Sequence, residues 1–245
     1  MHGTLDASQL YVTVDLILLT VREGRLNLLL SRRSKPPFAG QWALPGRFVG
    51  LRESAEEAAR LLLQEMLPIP AAYTEQLFTF TDADRDPRGR VISCAYLVVA
   101  PWSRVAAALN EHGASFGCFE AALEGGRLRL TAEDGRPIDG EPAFDHERIA
   151  QTALKRLRGK IDYTDIGFHF LEDMDSFSLS ELQTIFEAVL DAPLDDSNFR
   201  RAILARYERT GRLAQTDRIE KRKRGRPAAL YRFDPTDDDA RRQDK

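Results

Sequence analysis

The stretch from Ala43 to Met66 holds the residue types on which metal chemistry could depend. It opens with a Pro-Gly turn, and Ser54 followed three residues later by Glu57 forms a capping box, which predicts that a helix begins there. Alanine and leucine then recur at helical spacing. A hard divalent cation takes several oxygen ligands, most often from carboxylates. The number of acidic residues at the right positions therefore decides whether this stretch can hold a metal.

The turn, short extended piece and capped helix together resemble the Nudix box, which binds metal and cleaves nucleoside diphosphates attached to another group. On this pattern the first glutamate falls on Glu53, and the Arg-Glu-hydrophobic-x-Glu-Glu core falls on Leu61–Met66. Only Glu65 remains of the three carboxylates that normally face the metals, because Leu62 and Met66 offer no oxygen ligand. We therefore expect no metal, no catalytic residue and a vestigial Glu65, and we predict that the chain is not an enzyme.

Charge is distributed unevenly along the chain. Residues 196–232 contain twelve Lys or Arg against four Asp or Glu, a net of +8, which leaves −11 for the rest of a chain whose total is −3. The basic run Lys221–Arg226 lies within this segment. Such an asymmetry indicates that the C-terminal part meets a polyanion and the remainder does not.

Length and composition are typical of a globular protein with two modest domains. The chain has 245 residues, of which 43% are hydrophobic and 30% charged. Cys94 and Cys118 predict neither a disulfide framework nor a zinc site, and we expect reduced thiols, as in the cytoplasm. The longest leucine-rich runs, 16–19 and 28–30, are far too short to span a bilayer, and no signal peptide pattern is present at the N-terminus. We expect no membrane partner.

The first part of the chain predicts a mixed α/β sandwich. After a flexible tail over residues 1–10, the pattern predicts a hairpin of two strands, Tyr11–Val21 and Leu26–Ser31. Further strands are expected at Gln76–Thr81 and Val91–Ala100, a helix at Ser103–Asn110, and hairpin turns at Gly125-Gly126 and Asp134-Gly135. Residues 11–145 are thus predicted to form a Nudix-type domain.

The second part predicts a winged helix-turn-helix over residues 146–235, followed by a disordered tail over 236–245. Glu147–Gly159 and Ser178–Leu190 have helical patterns, and the second begins with a capping box of Ser178 and Glu181. A third helix begins at Asp195 or Asp196 and runs to about Thr210, where Gly211 can provide a left-handed C-cap. Two strands, Arg212–Thr216 and Ala228–Phe233, would enclose the basic run as a wing.

The third helix and the wing carry the candidate DNA-binding residues. A helix, tight turn and helix with a polar, basic N-terminal end is the arrangement that places a recognition helix in the major groove. We expect DNA contacts from Ser197, Asn198, Arg200 and Arg201 on the helix, and phosphate contacts from Lys223, Arg224 and Arg226 in the wing.

Both halves together resemble the Nudix-related transcriptional regulators of the NrtR family, bacterial repressors or activators of NAD-metabolism operons. The resemblance extends over roughly 11–233, and it is most specific in 75–80, 85–90, 143–146, 195–201 and 224–231. It implies a ligand-gated, DNA-binding homodimer, cytoplasmic and nucleoid-associated, that binds double-stranded DNA at an inverted-repeat operator. No cofactor is implied.

The resemblance also implies that the Nudix-like domain binds ADP-ribose or a related NAD-derived nucleotide as its effector. The candidates for the phosphates are arginines, because guanidinium groups form paired hydrogen bonds with phosphate oxygens: Arg33, Arg47, Arg85 and Arg88. Phe38 or Trp42 could stack on a base or close the pocket. Trp42 could instead pack in the core, and Arg85 and Arg88 could merely structure their loop.

Two alternatives stay open at this point. One is an active Nudix hydrolase of ADP-ribose-like substrates, against which the residues at 62 and 66 argue. The other is a regulator of the same build that responds to a sugar or an unrelated nucleotide. His146 by itself does not indicate catalysis, because an isolated histidine at a helix start is more often a capping or packing residue.

Overall fold

The computed structural model describes residue 6 and residues 9–67, 73–220 and 228–235, which form a mixed sheet, flanking helices and a smaller three-stranded sheet. The strands are β1 (Tyr11–Arg22), β2 (Arg25–Arg32), β3 (Trp42–Ala43), β4 (Gly46–Phe48), β5 (Tyr73–Phe80), β6 (Val91–Val99), β7 (Phe116–Glu124), β8 (Arg127–Thr131), β9 (Phe177–Ser178), β10 (Leu213–Glu220) and β11 (Ala228–Phe233). The helices are α1 (Ala55–Met66), α2 (Trp102–His112), α3 (His146–Lys160), α4 (Leu179–Leu190) and α5 (Asp196–Ile203).

The larger sheet has the strand order β5-β6-β1-β2-β7-β8, and the two short strands β3 and β4 pair with β2 and β1. The β1 and β6 strands are parallel, whereas the other pairs are antiparallel. The β1 strand changes neighbour along its length: Thr13 to Asp15 pair with β4, and Leu19 to Arg22 pair with β2. The first half of β1 therefore lies beside β4, because β2 pairs with β1 only over these last residues of β1.

Both faces of this sheet are covered, which explains the nearly continuous apolar run of β1. Leu16 and Leu18 point to the face on which α1 and α2 pack, and Ile17 and Leu19 point to the opposite face. All four side chains are fully buried. The apolar stripe of α1, which includes Ala58, Leu62 and Met66, completes the first of these two cores.

The winged helix part packs on the second face, so the second core extends through the smaller sheet. The smaller sheet has the order β10-β11-β9. Apolar residues of α3, α4 and α5 join those of the larger sheet in one hydrophobic cluster, among them Ile149, Leu182 and Phe199. The α/β sandwich followed by a winged helix is therefore confirmed as the fold.

The starts of two helices were predicted accurately, whereas the ends of two later elements were not. Both predicted capping boxes are formed, at Ser54–Glu57 and at Ser178–Glu181. The third helix was predicted to reach about Thr210; it is α-helical to Ile203 and continues as a π-helical turn, Leu204–Glu208, so its end lies two residues earlier. The predicted strand before the wing was too short, since β10 reaches Glu220. Among the described residues, none of the helices has the length and apolar composition that crossing a membrane requires.

Candidate functional site

A cavity of about 490 Å³ is bordered by the first half of β1, by β4 and by the end of β2. Its lining comes from β1, β3, β4, the end of β2 and the loop after it, the β5–β6 loop and the start of α3. The lining residues are Thr13, Asp15, Ser31, Arg32, Arg33, Ser34, Lys35, Pro36, Ala43, Leu44, Gly46, Arg47, Phe48, Arg85, Asp86, Arg88, Phe144 and His146. Six of these residues are Arg or Lys and two are Asp. The excess of positive charge suits a ligand that carries phosphates.

Position 46 requires glycine because β4 lies very close to β1 at this point of the cavity wall. The β1–β4 register places Gly46 opposite Asp15. A Cβ atom on Gly46 would lie 2.2 Å from Oδ1 of Asp15 and 2.9 Å from the carbonyl oxygen of Val14. The glycine of the Pro-Gly turn therefore allows β4 to lie against Asp15, which keeps that carboxylate on the cavity wall.

Arg85 forms the centre of a buried ion-pair network. Its side chain is 3% exposed, and it donates hydrogen bonds from Nε and Nη2 to the two carboxylate oxygens of Asp145, at 3.0 and 2.7 Å. The Oδ2 atom of Asp15 lies 3.6 Å from the same Nη2, and it also accepts a hydrogen bond from Ser93 Oγ. Arg85 lines the cavity as predicted, but a phosphate would have to compete with Asp145 for its donors.

His146 is buried at the start of α3 and is bonded to the opposite wall. Its Nδ1 accepts a hydrogen bond of 2.8 Å from the backbone N–H of Leu44. Nδ1 therefore carries no proton, and in the neutral ring Nε2 carries it, 3.7 Å from Oδ1 of Asp15. Burial holds the pKa of His146 below its usual value. The residue packs and positions, in agreement with the interpretation from the sequence.

Arg33 and Arg88 line the cavity and lie against the same aromatic ring, that of Phe144. The guanidinium carbon of Arg33 lies 4.6 Å from the centre of the Phe144 ring, and that of Arg88 lies 5.3 Å from it. Arg33 donates to the carbonyl oxygens of Pro37 and Lys35, and within the described part of the chain it pairs with no carboxylate. Burial, and then repulsion by Arg88, lowers the pKa of Arg33.

Arg88 has an acidic partner in its own loop. It donates to both carboxylate oxygens of Asp86, at 2.6 Å in the shortest contact, and it stacks on Phe48 at 5.2 Å. Burial alone would raise the pKa of Asp86, but the hydrogen bonds from Arg88 outweigh it and hold the pKa below its usual value. Arg88 therefore structures its own loop, a role that was considered from the sequence, and it also lines the cavity.

Arg47 lines the cavity as well, and it pairs with Glu53 at 3.2 Å.

The two aromatic candidates lie outside the lining. Trp42 is half-buried and packs edge-to-face against Phe119, with 4.9 Å between ring centres, so its packing is that of a core residue. Phe38 packs edge-to-face against Phe144, with 4.9 Å between the ring centres. Both Phe38 and Phe144 have a positive φ, 63° and 60°, a region that bulky side chains rarely adopt. The aromatic rings that do line the cavity, Phe48 and Phe144, were not selected from the sequence, although Phe144 lies in a segment that carried the family resemblance.

The Nudix-box helix turns away from this cavity. Leu62 and Met66 are buried in the core on the other face of the sheet, and Glu65 is exposed on α1. Across the residues that the structure describes, no three His, Cys, Asp or Glu side chains are grouped so that they could hold a metal ion.

The α5 helix presents most of the predicted DNA-binding side chains to solvent. Its N-cap Asp195 accepts a hydrogen bond of 2.8 Å from the backbone N–H of Asn198, while Phe199 faces the core. The exposed candidates are Ser197, Asn198, Arg200 and Arg201. Arg201 donates to Asn198 Oδ1 at 2.7 Å, and Arg200 donates to the hydroxyl of Tyr231 on β11 at 2.8 Å. Lys223, Arg224 and Arg226 lie outside the described residues.

Comparisons with known proteins match both halves of the chain. Residues 10–124 match the model of the NUDIX domain, and residues 167–233 match that of the NrtR DNA-binding winged helix domain. A protein of Acinetobacter baylyi described as an ADPR responsive transcriptional repressor, NtrR, is 32% identical over 226 residues, which cover 91% of this chain and 81% of that protein.

A solved structure and a partial relative complete the comparison. The crystal structure of Shewanella oneidensis NrtR complexed with a 27mer DNA is similar to this chain with a TM-score of 0.73 and 30% identity, covering 94% of this chain and 95% of that one. An ADP-ribose pyrophosphatase of Methanocaldococcus jannaschii is 38% identical over 71 residues, which cover 29% of this chain and 42% of that protein.

Proposed function

The chain belongs to the NrtR family, and on that premise we propose that it is a transcriptional repressor of NAD-metabolism genes whose affinity for its operator is controlled by ADP-ribose. One observation carries this proposal above all: a cation-rich cavity and an exposed, basic recognition helix are built into the same chain around one shared core. The A. baylyi relative, which is described as ADPR responsive, supports the choice of effector.

The cavity has a size and a charge that suit a nucleoside diphosphate. A volume of about 490 Å³ lies within the range of about 300–1,000 Å³ found for small-molecule sites. We propose that Arg33 and Arg88 bind the diphosphate, since both guanidinium groups face the cavity and an anion between them would relieve their repulsion. Arg47 and Arg85 lie on the same wall and complete the positive lining.

We propose that the effector is bound and not cleaved. Cleavage by a Nudix enzyme depends on divalent cations held by several carboxylates, and Leu62 and Met66 bury apolar side chains at two of the three corresponding positions. The partial similarity to an ADP-ribose pyrophosphatase keeps hydrolysis as the second candidate function. Incubation of the purified protein with ADP-ribose and Mg²⁺, followed by chromatography, separates the two: a sensor returns intact ADP-ribose, and a hydrolase yields AMP and ribose 5-phosphate.

For the DNA, we propose that α5 enters the major groove of an inverted-repeat operator and that a cytoplasmic homodimer binds both half-sites. Asn198 and Arg201 are exposed and hydrogen-bonded to each other, so they form one polar face that can reach base edges. Lys223, Arg224 and Arg226 would contact phosphates, which fixes the register of the protein without reading sequence.

A gel-shift experiment tests DNA binding and the response to the effector together. The probe is a duplex that the protein itself selects from random-sequence DNA, titrated with and without ADP-ribose at moderate salt. We expect a specific shift that ADP-ribose alters. Ribose 5-phosphate and AMP serve as controls, and a response to one of them with no response to ADP-ribose would support the regulator of another metabolite. Failure to select or shift any sequence would contradict the repressor function.

A further inference from the structure

The segment that joins the two halves of the chain, Ala143–His146, is part of the cavity wall; we call this segment the junction. Phe144 and His146 line the cavity, and Ala143 and Asp145 are hydrogen-bonded to neighbouring segments. The backbone N–H of Ala143 donates to the carbonyl oxygen of Trp42 at 2.8 Å, and the Phe144 ring contacts both Arg33 and Arg88. Asp145 pairs with Arg85, and His146 accepts from the backbone N–H of Leu44. A ligand in the cavity therefore meets the junction directly.

The α3 helix continues from the junction into the shared core and is fixed to the DNA-binding part at its far end. Its apolar side, which includes Ile149 and Leu157, is fully buried. Arg158 donates to the carbonyl oxygen of Val189 at 2.9 Å, at the end of α4. Because packed helices move as rigid units, a change at the start of α3 must reach α4.

The α4 helix is in turn bonded to the start of the recognition helix. Gln183 donates to the Asp196 carboxylate at 2.8 Å and to the carbonyl oxygen of Leu194 at 3.2 Å. Glu187 accepts from the backbone N–H of Leu194 at 2.8 Å. Contacts thus run without interruption from the cavity through the junction, α3 and α4 to α5.

Asp145 differs from the other polar N-cap residues of the α-helices that the structure describes. Ser54, Ser178 and Asp195 have extended backbones, with ψ of 158°, 150° and 122°, and each side chain accepts a hydrogen bond from an amide of its helix. Asp145 stands at the same position of α3 with ψ of 20°, and its side chain makes no such bond. Its carboxylate is instead bonded to Arg85. Two partners therefore compete for one carboxylate, and each requires a different backbone conformation at the junction.

We propose that Asp145 is the residue through which the effector controls the DNA-binding part. An effector phosphate that takes the donors of Arg85 releases Asp145, which then caps α3 and rotates the junction about its own backbone. The start of α3 shifts, and α4 and α5 follow. This inference rests on the proposed function, because it takes ADP-ribose as the ligand and the operator as the target.

Two substitutions at this position should act in opposite directions. Asparagine caps a helix as well as aspartate does but cannot neutralise Arg85, so Asp145→Asn favours the capped conformation. We expect it to bind ADP-ribose about fivefold more tightly and to show, without ligand, part of the change in operator affinity that ADP-ribose causes in the wild type. Glutamate keeps the charge but is not among the preferred N-cap residues, so Asp145→Glu should bind ADP-ribose about fivefold more weakly.

The matched control is Asp134→Asn. Asp134 also pairs with an arginine, Arg136, but the pair is exposed in the turn after β8 and lies outside the cavity lining. This variant should leave both ADP-ribose affinity and operator affinity unchanged. Calorimetry gives the first quantity and fluorescence anisotropy the second, with the duplex selected by the protein as the probe.

Hydrogen exchange in the wild type tests the same inference without any variant. Capping protects the backbone amides of the second and third helical residues, which are Glu147 and Arg148. We expect ADP-ribose to slow exchange at these amides in the wild type and to have a smaller effect in Asp145→Asn. If ADP-ribose binds the wild type but leaves these amides unprotected, or if both substitutions behave as Asp134→Asn does, the inference is wrong and the proposed function stands. If ADP-ribose does not bind the wild type, the proposed effector is wrong and the inference falls with it.

Discussion

The arginines of the cavity and the arginines of the recognition helix illustrate two ways of preparing the same side chain for an anion. Arg85 is buried between Asp145 and Asp15, and Arg88 is paired with Asp86, so their positions are fixed before a ligand arrives. Arg201 is exposed, and it donates a hydrogen bond to the neutral Asn198. The first arrangement favours recognition of one small ligand with fixed geometry, whereas the second leaves a solvated charge free to adjust to DNA.

The strongest test of this difference is Arg85→Met. The substitution removes the buried cation and leaves Asp15 and Asp145 close together without it, so we expect the free energy of unfolding in urea to fall by about 3–5 kcal/mol. The control is Arg136→Met, which should unfold at nearly the same urea concentration as the wild type, because its pair with Asp134 is exposed and screened by solvent. Equal losses of stability in the two variants would show that the buried ion pairs of Arg85 stabilise the fold no more than an exposed ion pair does.

Arg33→Ala tests the cavity as a binding site. Because Arg33 has no acidic partner among the described residues, its removal should leave the fold intact and cost one charged hydrogen-bonding group to the phosphates. We expect ADP-ribose affinity to fall by about 10- to 100-fold in calorimetry. Arg25→Ala, at an exposed pair with Glu120, should bind like the wild type. Unchanged affinity in Arg33→Ala would remove this residue from the site.

Arg201→Ala tests the exposed arginine as a reader of sequence. We expect it to weaken operator binding by about 1–3 kcal/mol more than it weakens binding to an unrelated duplex, because base contacts discriminate and phosphate contacts do not. Arg156→Ala, on the exposed side of α3, is the control for loss of one positive charge. Equal losses on both duplexes would assign Arg201 to phosphate contact alone.

The smallest effect is expected at the hydrogen bond that joins Arg200 of α5 to Tyr231 of β11. Tyr231→Phe removes the hydroxyl to which Arg200 donates, and we expect unfolding to become easier by about 1 kcal/mol. Tyr163→Phe, at a side chain 62% exposed, should change stability by less than about 0.5 kcal/mol. If the two variants are equally stable, Arg200 does not fix α5 against β11, and its guanidinium is as free for DNA as that of Arg201.

Features that depend on near neighbours in the chain could be predicted, and those that depend on distant pairs could not. The capping boxes and the bounds of β11 follow from local patterns, and both are confirmed. Four predicted arginines, Arg33, Arg47, Arg85 and Arg88, line one cavity. The pairing of Arg85 with Asp145 joins residues that are 60 positions apart, and no local rule indicates it.

Short elements escaped prediction for a related reason. The β3 and β9 strands have two residues each, too few for an alternating pattern to appear. The position of Asp15 on the cavity wall depends on Gly46, whose close approach is set by pairing between strands. The sequence therefore predicts which residue types line the cavity, while the pairing of Arg85 with Asp145 at the start of α3 emerges only from the folded chain.

Operator affinity measured by fluorescence anisotropy, at increasing ADP-ribose and with Mg²⁺ present, tests the central claim most directly. The proposed sensor requires that saturating ADP-ribose change the dissociation constant for the operator by about 5- to 150-fold, and that the nucleotide be recovered intact afterwards. An operator affinity that stays the same at saturating ADP-ribose, or a response that disappears as the nucleotide is cleaved to AMP and ribose 5-phosphate, would contradict it.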